Sequence, residues 1–256
     1  MVRQINWPLH NESEPPLAHM QSEHAISKVV GYWAAHLGCS TEALFAQPLH
    51  IVTHGTDLAD YDGIFALFRD GTATVSFPPD RAQALRRLLP SQPLTPVRFA
   101  VAFSGSSFTV IGPAYVGYAE VIRPPSHPVR SLTERDASKA VALRAACSRT
   151  EWEHGGSDVN AQPLSGVFVG TELVALAGYE VWGGVIAHIS VITHPAFRSQ
   201  GFGRSAVAHL ADIALAGGLV PQYRTLESNL PSIRVAESLG FVHYASSVAV
   251  RLKHAG

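Results

Sequence analysis

The stretch of this chain richest in chemistry runs from His188 to Leu210, HISVITHPAFRSQGFGRSAVAHL. It starts as an apolar strand, breaks at His194-Pro195, and passes through a basic turn with two glycines, Arg198 to Arg204. It then continues as an amphipathic helix. A strand feeding a helix through such a turn leaves backbone N–H groups unpaired at the positive end of the helix dipole, which suits a phosphate. Gly201 and Gly203 let the backbone close on phosphate oxygens with no Cβ in the way, and Arg198 and Arg204 oppose the negative charge. Two ligands compete for this cradle: a dinucleotide, or the pyrophosphate of a coenzyme A thioester.

Gly201 to Ala206 satisfies the G-x-G-x-x-A pattern of dinucleotide sites, and Glu227 stands at a plausible spacing for a ribose-binding acid. The spacing before the turn argues otherwise. In a dinucleotide fold the first glycine follows the strand almost at once, whereas here His194 to Gln200 intervene. Too little chain remains after Gly203 to supply the further βαβ units. The second pattern is R-x-x-G-x-G, formed by Arg198, Gly201 and Gly203. It is followed downstream by Asn229-x-x-Ser232-x-x-Val235-x-x-x-Leu239-Gly240-Phe241. With both motifs in register, the C-terminal half of the sequence resembles the GNAT superfamily of acyl-CoA-dependent N-acyltransferases.

That resemblance implies acetyl-CoA as co-substrate and no metal. Its pyrophosphate would lie on Arg198, Ser199, Gln200, Gly201, Phe202, Gly203, Arg204 and Ser205. Its pantetheine arm would pair with the backbone of Val191, Ile192 and Thr193 as an added strand, with Asn229 and Ser232 alongside. N–H groups near Val191 and Ile192 would hold the oxyanion of a tetrahedral intermediate. Relatives often place a tyrosine in the second motif as the acid for the departing thiolate; Ala236 stands at that position here. Tyr223, Ser228 and Tyr244 are the available substitutes. For the base that receives the amine proton, the candidates are His188, whose ordinary pKa suits the task, and Glu227, which would need burial to raise its own. Trp152 and Glu153, with Trp182 and Tyr223, are expected to line the acceptor pocket. Carboxylates beside an aromatic suit a cationic amine.

The expected reaction is acetyl transfer from acetyl-CoA to a primary amine. The alternatives are a non-catalytic acyl-CoA-binding or regulatory module and, third, a dinucleotide-dependent oxidoreductase.

The surrounding elements must hold this machinery. Apolar spacing predicts a helix over 24–37, and Asp70-Gly71 between two strand-like runs predicts a hairpin. Further strands are expected over 97–103, 107–111 and 114–121, and a helix over 79–89. The three prolines of Ile122 to Val129 mark the best boundary. Residues 1–23 then form an arm, 24–128 an N-terminal α/β domain, and 129–256 the acyltransferase domain. After the boundary the sequence predicts a helix over 137–147, a polar loop over 150–156, a hairpin around Gly170, and the strand leading into the cradle. The fold class expected is α/β, with a mixed, mostly antiparallel GNAT-type sheet flanked by helices in the C-terminal half and a second α/β domain before it. The hairpins at 65–77 and 167–179 echo one another, so the N-terminal half is expected to be a degenerate copy that lost its cradle and completes the acceptor pocket or a homodimer interface.

Bulk properties narrow the class. A chain of 256 residues with 46% hydrophobic and 15% charged content can bury a full core. A net charge of −1 without a basic run argues against nucleic acid as a partner. No long apolar run or signal peptide is evident, which points to the cytoplasm rather than a membrane. The thirteen histidines form no ligand-spaced array, and Cys39 and Cys147 form no metal or disulfide pattern. Cys147, at the end of an alanine-rich helix, reads as a structural thiol.

Overall fold

The computed structural model describes residues 22–90, 93–105, 107–156 and 163–252. The expected arm, 1–23, lies outside these residues apart from Ser22 and Glu23. Ser22 caps helix α1 (Glu23–Leu37), its Oγ accepting from Ala25 N at 3.2 Å, and Gly38 ends that helix at φ 86°. Strand β1 (His50–Thr53) precedes the hairpin of β2 (Gly63–Arg69) and β3 (Thr72–Phe77). Asp70 and Gly71 both adopt positive φ there, as a two-residue hairpin turn requires. Two short helices, α2 (Ala82–Arg86) and α3 (Pro96–Ala102), lead to the long strand β4 (Phe108–Tyr118).

Then come β5 (Val129–Ser131), α4 (Ala137–Ala146), α5 (Arg149–Gly155), β6 (Leu164–Val169), β7 (Glu172–Trp182) and β8 (Ile186–Thr193). The chain closes with α6 (Phe202–Ala216), β9 (Val220–Leu226), α7 (Leu230–Leu239) and β10 (Val242–Leu252). Among the described residues no helix is long and apolar enough to cross a membrane.

All ten strands form one sheet in the order β1-β3-β2-β10-β4-β9-β8-β7-β6-β5, antiparallel except for the β1–β3 and β8–β9 pairs. The expected boundary near Pro128 falls between β4 and β5, yet hydrogen bonding passes straight across the two halves. The last strand, β10, lies between β2 and β4, and β4 also pairs with β9. The connection over 122–128 is tied down as well. Arg123 N donates to Leu239 O at 3.0 Å, and the N–H groups of Ser126 and His127 both donate to Ser205 Oγ.

Helices cover both faces. α6 and α7 bury Tyr115, Ile189, Ala206, Leu210, Tyr223 and Phe241 on one face. On the other, α1 buries Trp33 and Leu37 with Phe65, Val116, Tyr118 and Ile186. α4 covers Leu164, Leu176 and Ile192 further along that same side.

Three local readings are corrected at helices. Residues 97–103, read as a strand, form α3. Thr95 Oγ1 accepts from Arg98 N at 3.2 Å and Pro96 occupies the first turn, while Phe99 and Phe103, four apart, are buried and Val97 and Val101 face water. The β-branched residues suggested a strand, but burial at helical spacing decides. The helix expected over 79–89 shortens to α2. Residues 150–156, read as a loop, form α5, because Ser148 and Glu151 make a reciprocal capping box.

Candidate active site

The parallel pairing of β8 with β9 holds only from Ile186↔Val220 to Ile189↔Tyr223. Beyond it the strands part, and a cleft of about 1550 Å³ opens between them, passing from the α6 side to the α1 side. β8 stays bonded to β7 as far as Thr193, so the edge of residues 191–193 that faces β9 is turned into the cleft. Such an edge can take an added extended chain.

The cradle lies at the end of this edge. Gly201 caps α6 with φ 82° and no side-chain cap, and the helix ladder begins with Ser205 N donating to Gly201 O at 3.0 Å. The N–H groups of Phe202, Gly203 and Arg204 therefore have no intrahelical acceptor. At Gly203 an added Cβ would stand 2.6 Å from Thr193 Oγ1, so only glycine lets α6 approach β8 this closely. Val191, Ile192, Thr193, Arg198, Ser199, Gly201, Phe202, Gly203, Arg204, Asn229 and Ser232 all line the cleft.

Arg204 donates to Ser238 Oγ at 3.1 Å, and Arg198 is bound to Glu151 at 2.7 Å and to Thr193 O at 3.3 Å. Asn229 caps α7, its Oδ1 accepting from Ser232 N. Two expected cradle residues do other work. Buried Ser205 anchors the 126–127 segment with its Oγ, and Gln200 accepts at its carbonyl from His127 Nε2 at 2.8 Å. His127, whose ring packs on Phe202 at 4.5 Å, is a cradle neighbour that nothing in the sequence pattern singled out.

On the opposite side of the split lies His188. Side chains alternate along β8 and β9. Ile189 and Tyr223 belong to the α6 face, so His188, Gln222 and Arg224 face α1. His188 stacks on Trp182 at 3.7 Å and 15°. Its Nδ1 donates to Gln222 Oε1 at 2.8 Å, because Gln222 Nε2 is committed to Tyr118 OH, which also accepts from Trp33 Nε1 at 2.7 Å. Fixing the proton on Nδ1 leaves Nε2 as the lone-pair nitrogen, with no partner among the described residues. Burial pushes the His188 pKa down to about 4, so the ring is neutral above that pH.

Tyr223 is on the α6 and α7 face, its OH 2.9 Å from Ser232 Oγ, and burial raises its pKa so that it keeps its proton. His188 and Tyr223 thus stand on opposite faces of one split sheet.

Other expected residues are elsewhere. Tyr244 opens on a separate cavity of about 290 Å³ with Phe45 and Arg69. Its OH has no hydrogen-bond partner among the described residues, and Arg69 lies over its ring at 4.7 Å. Glu227 accepts from Ser246 Oγ and is not among the residues that line the cleft. Trp152 packs beneath α4 with Arg144 over its ring at 5.6 Å, outside the cleft. Glu153 lines the cleft but is paired with Arg149 at 2.7 Å. Glu151 is held by Ser148 N–H and by Arg198, which keep its pKa down near 2. The acidic wall expected to attract a cation is already neutralised.

The N-terminal half supplies what the sequence pattern missed. Tyr32 and His36 from α1, Asp57 and Tyr61 from the loop before β2, and Phe65 from β2 all line the α1 side of the cleft. These are isolated polar and aromatic residues with no motif to mark them.

Residues 128–241 match the model of the acetyltransferase (GNAT) family. A GNAT-family acetyltransferase from Colwellia psychrerythraea is 12% identical with a TM-score of 0.52, covering 91% of this chain and 98% of that one, so the fold is shared over most of the length. A putative GNAT acetyltransferase from Novosphingobium aromaticivorans is 23% identical, with a TM-score of 0.46 over 70% of this chain and 84% of that one. No curated protein matches the sequence. The family match spans residues 128–241, less than half of the chain, within a mixed α/β fold. That match supports acyl-CoA-dependent acetyl transfer in general terms only.

Proposed function

We propose that the protein transfers an acetyl group from acetyl-CoA to an amine by direct attack. The observation that carries this reading is the through-cleft. An open strand edge ends in an anion cradle on one face, and a neutral histidine with a free Nε2 waits on the other.

The pyrophosphate sits against the N–H groups of Phe202, Gly203 and Arg204, with the Arg204 and Arg198 guanidinium groups nearby. The pantetheine arm extends along the open edge of residues 191–193, and the Asn229 side chain contacts it from the start of α7. This places the thioester where β8 and β9 part. The acceptor enters from the α1 side as a free amine. Its nitrogen attacks the carbonyl carbon, and the developing oxyanion is received by N–H groups near Val191 and Ile192. As the tetrahedral carbon collapses, the C–S bond breaks, the C–N bond remains, and the thiolate takes a proton from Tyr223, which Ser232 orients. The proton shed by the nitrogen goes to His188 Nε2.

Magnitudes place the histidine step after attack rather than before it. An alkylammonium of pKa near 10 loses a proton to a base of pKa about 4 only at a cost of about 8 kcal/mol. Once bonded to the tetrahedral carbon, the nitrogen is far more acidic, and the transfer becomes accessible.

The test is thiol release from acetyl-CoA with a broad panel of amines, alongside acetyl-CoA binding. Binding with turnover is expected, with His188→Gln and Tyr223→Phe each lowering kcat by about 100-fold while binding persists. Binding without turnover across the panel would instead favour an acyl-CoA-binding module, a reading to which Ala236, in place of the usual tyrosine, gives some support.

A further inference from the structure

The α1 side of the cleft contains a cation in its wall, Arg224, that the reaction above does not use. Arg224 lies two residues beyond Gln222 on β9, just past the last β8–β9 pair, and is half-buried in the cleft wall. Its guanidinium lies 5.6 Å from the centre of the Phe65 ring. No described residue gives it a hydrogen bond or an ion pair. None of the acids that line the cleft pairs with it: Asp57 lies 3.6 Å from His36, while Glu151 is bound to Arg198 and Glu153 to Arg149. A guanidinium withdrawn from water without a counter-charge is costly, and it stays protonated even where burial lowers its pKa. Such a group needs an anion.

That anion is not the coenzyme's pyrophosphate. The cradle belongs to the α6 face, whereas Arg224 shares the opposite face with its β4 partner Val116, which is buried under α1. The side on which Arg224 opens is the one from which the acceptor approaches His188. Tyr32, Tyr61 and Phe65 wall it, leaving room for a compact organic group.

We propose that the acceptor is an amine that also carries a carboxylate, of amino-acid type, and that Arg224 binds this carboxylate while His188 faces the amine. This assignment rests on the acetyltransferase reading above and specifies its substrate. A single planar guanidinium fork matches one carboxylate in charge and shape. His188 and Arg224 project from the same face of adjacent strands. Arg224 stands two residues beyond Gln222, the register partner of His188, and both side chains line the cleft, so a small bifunctional molecule can bridge them. Burial is the main cause of the low basicity of His188, and the acceptor's carboxylate would offset the lesser contribution of the Arg224 charge.

The experiment measures thiol release from acetyl-CoA by the full chain. The panel comprises the common amino acids, the carboxamide and decarboxylated amine of each, and an aminoalkyl phosphate. At least one amino acid is expected to exceed its carboxamide and amine by about tenfold or more in kcat/KM. Arg224→Gln should cut kcat/KM for that acid by about 100-fold, mainly through KM, with acetyl-CoA affinity within twofold of the parent. Arg224→Lys should recover part of the loss, which separates a lost charge from a damaged fold. Equal use of acid, carboxamide and amine, preference for the phosphate, or an Arg224→Gln variant indifferent to the carboxylate would each overturn the assignment. If no panel member is acetylated, calorimetric binding of the amino acids to the CoA-saturated protein decides. Binding lost in Arg224→Gln sustains the carboxylate site while the transferase reading fails, and absence of any carboxylate binding refutes the site itself.

Discussion

At the scale of single residues, His188 has its chemistry set from outside its own strand. Trp33 of α1 and Tyr118 of β4 fix Gln222, and Gln222 fixes the histidine tautomer. The same burial that leaves the ring neutral makes it a pH sensor of stability. Its folded pKa of about 4 lies below the unfolded value near 6.5, so the unfolded chain binds more protons between those pH values. The contribution is fully present above about pH 6.5 and is lost as pH falls toward 4, amounting to about 3 kcal/mol. Denaturant titrations of the parent and His188→Gln at pH 7 and pH 4.5 check this: the variant should lose markedly less stability on acidification. Equal losses would mean that the ring is not buried neutral. His188 was readable in the sequence from its ordinary pKa and its place on the strand before the cradle. Arg224 was not, because what distinguishes it is the lack of a partner, and only the assembled fold decides which charges find one.

At the scale of elements, contact between α6 and β8 depends on Gly203. Gly203→Ala places a methyl against Thr193 Oγ1, and acetyl-CoA affinity should fall about tenfold as the helix shifts. Gly203→Asp adds a carboxylate at the positive end of the helix, for which a loss of about 100-fold or more is expected. Adding Thr193→Ala should restore binding to Gly203→Ala but not to Gly203→Asp. Unchanged affinity in both single variants would mean the pyrophosphate binds elsewhere. The cradle was legible because glycine spacing, basic residues and a strand–helix junction coincide within a few residues. Elements with weaker local signals were misread: α3 carries β-branched residues on its wet face, and α5 depends on the Ser148–Glu151 box more than on apolar periodicity. The continuity of β4 through Gly112-Pro113, read as two strands, is likewise a product of its neighbours, since β10 and β9 hold it in register on both sides.

At the scale of the whole molecule, the two halves share one sheet. The proline-rich stretch signalled a boundary, and a composition shift cannot show that β10 returns to pair with β2 and β4. Expressing residues 129–256 alone would leave β9 without β4 and β10 without either neighbour, exposing apolar strand edges. That fragment should be aggregated or unfolded by circular dichroism. Supplying residues 22–128 as a separate chain should restore soluble, folded material. A fragment that folds and binds acetyl-CoA on its own would show that the joined sheet is dispensable.

The central position of β10 also sets a clock on synthesis. β4 is complete at Tyr118, but the strand that pairs along its length begins only at Val242. At typical elongation rates the ribosome takes on the order of ten seconds to cover that interval. Throughout it, the edges of β2 and β4 that β10 will occupy have no native partner yet made. Half by half, co-translational folding is therefore closed to this chain, and the walls of the cleft meet only after the last strand has emerged. Long-range pairing of this kind folds slowly and is exposed to misassembly, so recovery of active protein should depend more on chaperone supply and expression temperature than its composition would suggest.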